Sequence, residues 1–212
     1  MNLKLIFAIL TLGIGNTAYA EQRIDILSLP NLDHWEEKVF SNKTLYQAIT
    51  IDNKPALKAN SHNTASGLYR EITVDLNKTP YLNWSWKIHK PLSNTKETTK
   101  AGDDYTTRVY VVISGGILFW KTQALNYVWS SNQPKGSSWP NAFTSNATML
   151  AIQSGDSLAG QWVNEKRNVL QDIRQLLGVD TTEINAVAIM TDTDNSHQSS
   201  EAYYGNIYFS SQ

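Results

Sequence analysis

Apolar and polar residues alternate along several short segments of this chain, a period of two that is typical of β-strands with one buried face. The alternation is clearest in Tyr81–Ile88, where the residues of one face are Leu82, Trp84, Trp86 and Ile88. In Tyr105–Ile113, Val109 and Val111 alternate in the same way with Arg108 and Tyr110. The pattern predicts strands over Thr44–Ile51, Pro55–Asn60, Gly67–Val74, Tyr81–His89, Tyr105–Ile113, Ala124–Ser130, Ala147–Gln153, Ile184–Met190 and Tyr203–Phe209.

A different period, that of an α-helix, is found in Ala159–Leu177. One apolar stripe is formed there by Trp162, Val169, Leu170, Ile173, Leu176 and Leu177. Gly178 follows as a residue able to adopt positive φ at a helix end. Lys166 lies inside the stripe, either with its ammonium reaching past the apolar edge or in a buried ion pair with a carboxylate of the sheet. We therefore expect one helix packed on the sheets.

Polar turns separate these strands, among them the segments 77–80, 91–104, 130–141 and 191–200. Eight or nine short strands with such turns predict an all-β sandwich or barrel. No internal repeat or low-complexity linker interrupts the pattern. A single domain over residues 21–212 is the expected organisation.

The first 20 residues have the pattern of a secretory signal peptide. Lys4 is followed by the apolar segment Leu5–Leu12, and Ala18-Tyr19-Ala20 matches a cleavage site before Glu21. No Cys follows to carry a lipid anchor, and no later segment reaches membrane-spanning length. We expect an exported protein, periplasmic or secreted, without a transmembrane segment in the mature chain.

Charge and cysteine content exclude several functions. The formal net charge is −1 with no basic block, which argues against nucleic acid as a partner. The chain has no Cys, so disulfides, thiolate catalysis and zinc–sulfur sites are excluded.

The first polar cluster that could carry chemistry is Gly102–Arg108, a turn that leads into a strand. Asp103 and Asp104 are able to cap this turn through their own backbone. Arg108 lies in an otherwise apolar strand, where an unpaired charge would be costly. It therefore needs a carboxylate partner, either a neighbouring aspartate, with Asp104 as the specific expectation, or one from the second cluster.

The second cluster is Thr191–Asn195, which follows the apolar run Ala186–Met190. Asp192, Asp194 and Asn195 resemble part of a calcium loop, but the Gly and Glu of a complete EF-hand are missing, and Glu201 is the nearest later carboxylate. Three interpretations remain open: a turn closed by its own side chains, a cation site, with calcium as the possible ion, and a site for sugar hydroxyls.

The third cluster combines amides with aromatic residues. Leu125, Tyr127 and Trp129 alternate with Asn126 and Val128. Trp139 follows in a loop rich in Ser, Gly and Pro. Most Trp residues of such a chain fill the core, but a loop Trp offers a flat apolar face to a sugar ring. Trp120 and Trp139 are the two candidates for that role.

Paired carboxylates suggest an alternative, a polysaccharide-active enzyme, hydrolase or lyase. A glycosidase needs two Asp or Glu residues on either side of the scissile bond. Asp103 or Asp104 with Asp192 or Asp194 is the pairing that we would nominate.

Several segments together resemble the bacterial domain of unknown function 3047 family. They are TKAGDDYTTRVYVV (99–112), ALNYVWS (124–130), WPN (139–141), RNV (167–169) and AIMTDTDN…AYYGNIYF (188–209). The resemblance extends from Trp35 to Phe209 and implies a secreted bacterial domain marked by the polar clusters described above.

A looser similarity to galactose-binding-like jelly-roll carbohydrate modules rests on Trp35, Phe40, Thr44, Tyr46, Ala65–Leu68 and Gly205–Phe209. It implies a jelly-roll sandwich with one packed helix. Gly205-Asn206-Ile207 stands where those modules have an Asp-Asp-Ile pattern, so calcium near the last strand is not implied.

The leading functional expectation is a non-catalytic domain that binds a glycan or another cell-envelope component. It rests on Asp, Asn and Thr loops together with loop tryptophans on a predicted sandwich. The expected ligand-binding residues are Asp103, Asp104, Arg108, Asn126, Trp129, Trp139, Asp192, Asp194 and Asn195. A third possibility is a structural envelope protein that acts through protein partners, for which the sequence offers no motif.

Overall fold

The computed structural model describes residues 22–93, 96–117 and 121–212. The predicted signal peptide over residues 1–20 and Trp120 lie outside the described residues. The described strands are β1 Arg23–Leu27, β2 Glu36–Ser41, β3 Leu45–Ile51, β4 Lys54–His62, β5 Ala65–Asp75, β6 Tyr81–Ile88, β7 Arg108–Ile113, β8 Gln123–Ser130, β9 Ser138–Pro140, β10 Ala147–Ser154, β11 Val163–Asn168, β12 Glu183–Asp192 and β13 Ser199–Ser210.

The strands form two sheets that pack face to face as a jelly-roll β-sandwich. One sheet has the order β11-β6-β13-β4-β3, with β1 also paired to β13. The other has the order β2-β5-β12-β7-β8-β10-β9. Pairing is antiparallel except between β8 and β10, which run parallel. The predicted fold class is confirmed, and each of the nine predicted strands has a counterpart.

Large aromatic side chains fill the space between the sheets. The even-numbered residues of β6 point inward, as their alternation predicts, and Trp86 is fully buried. Trp84 stacks on Tyr127 of β8 with ring centroids 5.3 Å apart, and Trp86 lies 6.0 Å from Trp129. Each buried aromatic side chain removes about 150–250 Å² of surface from water, so these rings dominate core stability.

A smaller apolar cluster lies on the outer face of β8, β9 and β10. Tyr105, in the segment before β7, covers Val128 and Met149, and its ring stacks on Trp139 at 6.5 Å. Trp139 is 8% exposed. The expectation of an exposed loop Trp at this position is therefore wrong, because the segment before β7 folds over it.

The predicted helix Ala159–Leu177 is wrong in its first half. Residues 163–168 form β11, which pairs with β6 from Val163 opposite Trp86 to Asn168 opposite Tyr81. Lys166 therefore lies on a strand, where its ammonium sits 4.7 Å from the centre of the Tyr81 ring. Lys166 is therefore not part of an apolar helix face, where the prediction places it.

The helical part comprises α1, Val169–Asp172, followed by a π-helical turn over Ile173–Leu177. The Asn168 side chain accepts a hydrogen bond from the Gln171 N–H at 3.0 Å and so caps the first turn. Gly178 ends the helix with φ 65°, as predicted. The predicted helix began too early in the chain, because Trp162 lies at helical spacing from the apolar residues that follow Asn168.

Candidate functional site

The two aspartate clusters lie side by side because β7 and β12 are antiparallel neighbours. Met190 of β12 is opposite Arg108 of β7, so the end of β12 meets the segment that leads into β7. Asp103 and Asp104 come from that segment, and Asp192 ends β12. The topology thus joins two loops that are about 90 residues apart in sequence.

Arg108 lies between the clusters and pairs with Asp192. Its Nε donates to Asp192 Oδ1 at 3.0 Å, and its Nη2 contacts Asp192 Oδ2. Nη2 also donates to the backbone oxygen of Asp103 at 2.6 Å, and Nη1 lies 3.9 Å from Asp103 Oδ2. The two side chains of the pair are 5% and 3% exposed. The specific expectation of an Arg108–Asp104 pair is therefore wrong, while a partner in the second cluster is found.

Asp104 is instead a cap for the opposite loop. Its carboxylate accepts hydrogen bonds from the N–H of Asn195 at 3.3 Å and of Ser196 at 2.6 Å, and from the Asn195 amide at 3.2 Å. In the opposite direction, the Asp192 carboxylate accepts a hydrogen bond from the Tyr105 N–H at 3.1 Å. Each loop is thus closed by a carboxylate of the other, which holds both in a fixed relation.

Burial shifts the pKa of two carboxyl groups of these clusters, Asp192 and Asp194. Burial raises the pKa of Asp192 to about 8, Asp104 and Asp103 add to the rise, and Arg108 opposes it. Burial, followed by the charge of Asp104, also raises the pKa of Asp194. The site favours a proton, or another positive charge, near these carboxylates.

Among the described residues, Asp104, Asp192 and Asp194 form a group that could hold a cation, since one oxygen of each lies within 4.8 Å of the others. Carboxylate oxygens are the ligands that hard cations prefer. The backbone N–H groups on Asp104 and Asp192 equally support the turn interpretation. Glu201 is not a member of this group, and its carboxylate pairs with Lys58 Nζ at 2.6 Å.

An open cleft of about 390 Å³ lies over this network on the outer face of the seven-stranded sheet. Its polar lining is formed by Asp103, Arg108, Asn126, Asn141, Thr144, Asp192, Asp194 and Asn195. Its apolar lining is formed by Phe40, Ala65, Tyr110, Phe143, Ala147 and Met190. Clefts of this size that combine apolar walls with a few converging polar groups are typical of small-ligand sites.

Six of the nine predicted ligand-binding residues line this cleft, namely Asp103, Arg108, Asn126, Asp192, Asp194 and Asn195. Asp104 is buried behind it. Trp129 belongs to the main core, with its N–H donated to the Gly155 oxygen at 2.9 Å. Trp139 belongs to the smaller cluster. These three residues do not line the cleft, because side chains of the chain itself cover them.

Eight residues that line the cleft were not among the predicted site residues, and four of these supply its aromatic rings and an amide: Phe40, Tyr110, Asn141 and Phe143. Phe40 and Phe143 are 66% and 54% exposed. Nothing in the sequence around either residue indicates that the two line the same cleft. Tyr110 alternates with the buried Val109 and Val111, so its position on the outer face of the sheet could have been predicted from the sequence. The Asn141 side chain donates a hydrogen bond to Asp103 Oδ2 at 2.8 Å. Its oxygen accepts hydrogen bonds from the backbone N–H groups of Phe143 and Thr144, which fixes the loop that carries Phe143.

The match to a family model extends over residues 33–208, almost all of the chain after the predicted signal peptide. The chain belongs to the family described as Protein of unknown function (DUF3047). The residues that line the cleft in this DUF3047 chain fall inside the matched region. No curated protein matches the chain significantly by sequence.

Solved structures with a similar fold include the family 30 carbohydrate-binding module of a cellulosomal cellulase of Clostridium thermocellum. It is 10% identical, with 84% of this chain and 87% of that chain covered and a TM-score of 0.43. The xyloglucanase domain of NopAA from Sinorhizobium fredii is 9% identical, with coverages of 82% and 91% and a TM-score of 0.47. Endoglucanase cel12A from Rhodothermus marinus is 8% identical, with coverages of 89% and 98% and a TM-score of 0.43. Similarity this low transfers neither a ligand nor a reaction to the DUF3047 chain.

Among the residues that the structure describes, no helix is long and apolar enough to cross a membrane.

Proposed function

We propose that this protein binds a glycan, such as a cell-envelope polysaccharide, in the cleft on the seven-stranded sheet. The observation that carries the proposal is the pairing of exposed aromatic rings with fixed polar groups. Phe40 and Phe143 are largely exposed, and they share the cleft with Asp194, Asn195 and Asn141. Exposed aromatic side chains in a groove rimmed by polar residues are typical of ligand sites.

A sugar suits both parts of this lining. The C–H face of a sugar ring is apolar and packs against an aromatic ring, while its hydroxyls donate to carboxylates and exchange hydrogen bonds with amides. The polar groups are held in place before a ligand arrives, because Asn141 is tied to Asp103 and Asn195 to Asp104. Pre-organisation of this kind lowers the entropy lost on binding.

Binding is favoured over glycoside hydrolysis by the state of the carboxylates. Oxygens of Asp104, Asp192 and Asp194 lie within 4.8 Å of one another. Retaining glycosidases hold their two carboxyl groups about 5–5.5 Å apart, and inverting ones about 6.5–9.5 Å. Asp104 is buried, and Asp192 is occupied by Arg108 and the Tyr105 N–H. Neither has the freedom to act on a bond in the cleft.

The proposal is tested by screening the full mature chain on a glycan array and titrating the best ligand by calorimetry. Phe143→Ala and Asp194→Ala should each lower the association constant by about tenfold or more. Leu45→Ala is the matched control, since Leu45 is also an exposed apolar side chain, 61% accessible, and does not line the cleft. Binding that Phe143→Ala and Asp194→Ala leave unchanged would contradict the proposal.

We further propose that residues 21–212 are exported as one domain, to the periplasm or the medium, after cleavage of the segment 1–20. The positively charged start, apolar stretch and Ala-Tyr-Ala sequence support this. N-terminal sequencing of the protein recovered from outside the cytoplasm should begin at Glu21. An intact Met1 in that fraction would contradict cleavage.

A further inference from the structure

A second groove, of about 380 Å³, crosses the outer face of the other sheet. It lies over β6, β11 and β13 and is lined by Lys54, Pro55, Asn83, Trp84, Ser85, Trp162, Asn164, Glu165, Gly205, Asn206 and Tyr208. These residues are distinct from those of the cleft described above. The groove therefore belongs to a separate surface of the sandwich.

A β-bulge in β13 shapes this groove. The register with β6 shifts between Tyr204 and Ile207, so Gly205 and Asn206 lie outside the regular ladder. A Cβ atom at position 205 would meet the Ser85 hydroxyl, so a larger residue there would require that hydroxyl to rotate away. The bulge leaves Asn206 exposed at the groove. Bulges that redirect a side chain occur often beside binding sites.

The aromatic side of the groove is Trp162, which is held in a fixed orientation. Its Nε1–H donates to Asp52 Oδ2 at 3.1 Å, and the same oxygen accepts from Lys87 Nζ at 2.8 Å. Its ring also lies 6.5 Å from the ring of Tyr203. Trp162 is only half-buried, so part of the indole remains accessible.

The polar side of the groove has unused hydrogen-bonding groups. Within residues 22–93, 96–117 and 121–212, the side chains of Ser85 and Asn164 have no hydrogen-bond partner. Asn206 is exposed, and its Oδ1 accepts a long hydrogen bond of 3.4 Å from the Leu29 N–H. A hydroxyl and amides both donate and accept hydrogen bonds, as the hydroxyls of a sugar do.

We propose that this groove is a second binding site, for a neutral saccharide that packs on Trp162 and hydrogen-bonds to Asn164, Ser85 and Asn206. The charges of the lining favour a neutral ligand. Lys54 and Glu165 are of opposite formal charge, and no other described Lys, Arg, Asp or Glu lines the groove, so its lining carries no net charge. The Glu165 carboxylate also accepts hydrogen bonds from Gln153 Nε2 at 2.7 Å and Trp86 Nε1 at 3.3 Å. The site is independent of the cleft, and either can exist without the other.

The test uses the full mature chain and three soluble probes: the hexamers of β-1,4-linked glucose, xylose and N-acetylglucosamine, each at millimolar concentration. Side-chain NMR signals of the Trp162 indole and the Asn164 amide should shift with at least one probe. Trp162→Ala should lower the association constant at this site by about tenfold. Asn164→Ala should also weaken it, and because that residue is exposed and without a partner among the described residues, folding is not at risk.

Phe143→Ala separates the two sites, since it alters the cleft and should leave the shifts of Trp162 and Asn164 unchanged. Loss of those shifts in Phe143→Ala would place the ligand in the cleft and overturn the second site. The same conclusion follows if none of the three hexamers shifts either signal, or if Trp162→Ala and Asn164→Ala bind as tightly as the unaltered protein.

Discussion

Arg108 and Asp192 form a buried ion pair that joins the start of β7 to the end of β12. The guanidinium contacts both carboxylate oxygens and also the backbone oxygen of Asp103. Asp104 and Asp192 then close each other's loops through backbone N–H groups. The floor of the cleft is thus a rigid network, and the groups left to face a ligand are those above it, including Asp194 and Asn195.

Removing the cation of this pair should destabilise the fold. Arg108→Met leaves Asp192 and Asp103 buried without their partner, and breaking a buried ion pair in this way costs about 3–5 kcal/mol. The full effect is expected at about pH 9, where Asp192 is ionised because the pH exceeds its pKa of about 8. At about pH 5 the loss should be smaller, since Asp192 is protonated there and the substitution leaves no unpaired negative charge on it.

Urea unfolding at both pH values measures the difference. Equal stability of Arg108→Met and the unaltered protein at the higher pH would show that the pair is not part of the stabilising network.

The raised pKa of Asp192 predicts a pH dependence with a definite sign. Burial raises the pKa of this carboxyl in the folded protein to about 8 from the ordinary value of 3.8, so the ion pair with Arg108 is complete only above that pH. Between these values the folded state binds more protons than the unfolded state, so stability falls as the pH rises. The slope is at most about 1.4 kcal/mol per pH unit for one group.

Asp192→Asn cannot titrate, so the free energy of unfolding of the unaltered protein minus that of this variant isolates the effect. This difference should decrease from about pH 4 to about pH 8 and then level off. A difference that stays constant over the range would mean that Arg108 keeps Asp192 ionised throughout.

Asp104→Asn should loosen the loop that follows β12. The neutral amide retains one acceptor but loses the charge-assisted hydrogen bonds to the N–H groups of Asn195 and Ser196, a cost of about 1–3 kcal/mol. Amide hydrogen exchange at those two residues should accelerate. Asp180→Asn is the matched control, because the Asp180 side chain is 90% exposed and pairs at the surface with Arg174. Identical behaviour of the two variants would refute the capping role of Asp104.

Strands with one buried face could be predicted from the sequence, and those without one could not. Tyr81–Ile88 alternates because its even residues fill the core. Glu36–Ser41 is an edge strand exposed along most of its length, so no apolar pattern marks it. Val163–Asn168 is short and largely polar, and the apolar spacing of the following helix masked it.

The candidate site likewise has features that the local sequence reveals and features that depend on which strands are neighbours. Local sequence identified the aspartate clusters and the need of Arg108 for a carboxylate partner. It could not select Asp192 as that partner, because the choice depends on β7 and β12 being neighbours in the sheet. Nor could it show that Tyr105 covers Trp139, since that contact joins distant segments.

The central claim, glycan binding in the cleft, is tested most directly by mapping a glycan onto the protein by NMR. The best ligand from the array is titrated into labelled mature protein, and the shifts of backbone and side-chain amides are followed. The account predicts saturable shifts centred on Tyr110, Asn141, Phe143, Asp194 and Asn195, and their loss in Phe143→Ala but not in Leu45→Ala. Saturable shifts that spare all five residues would contradict it.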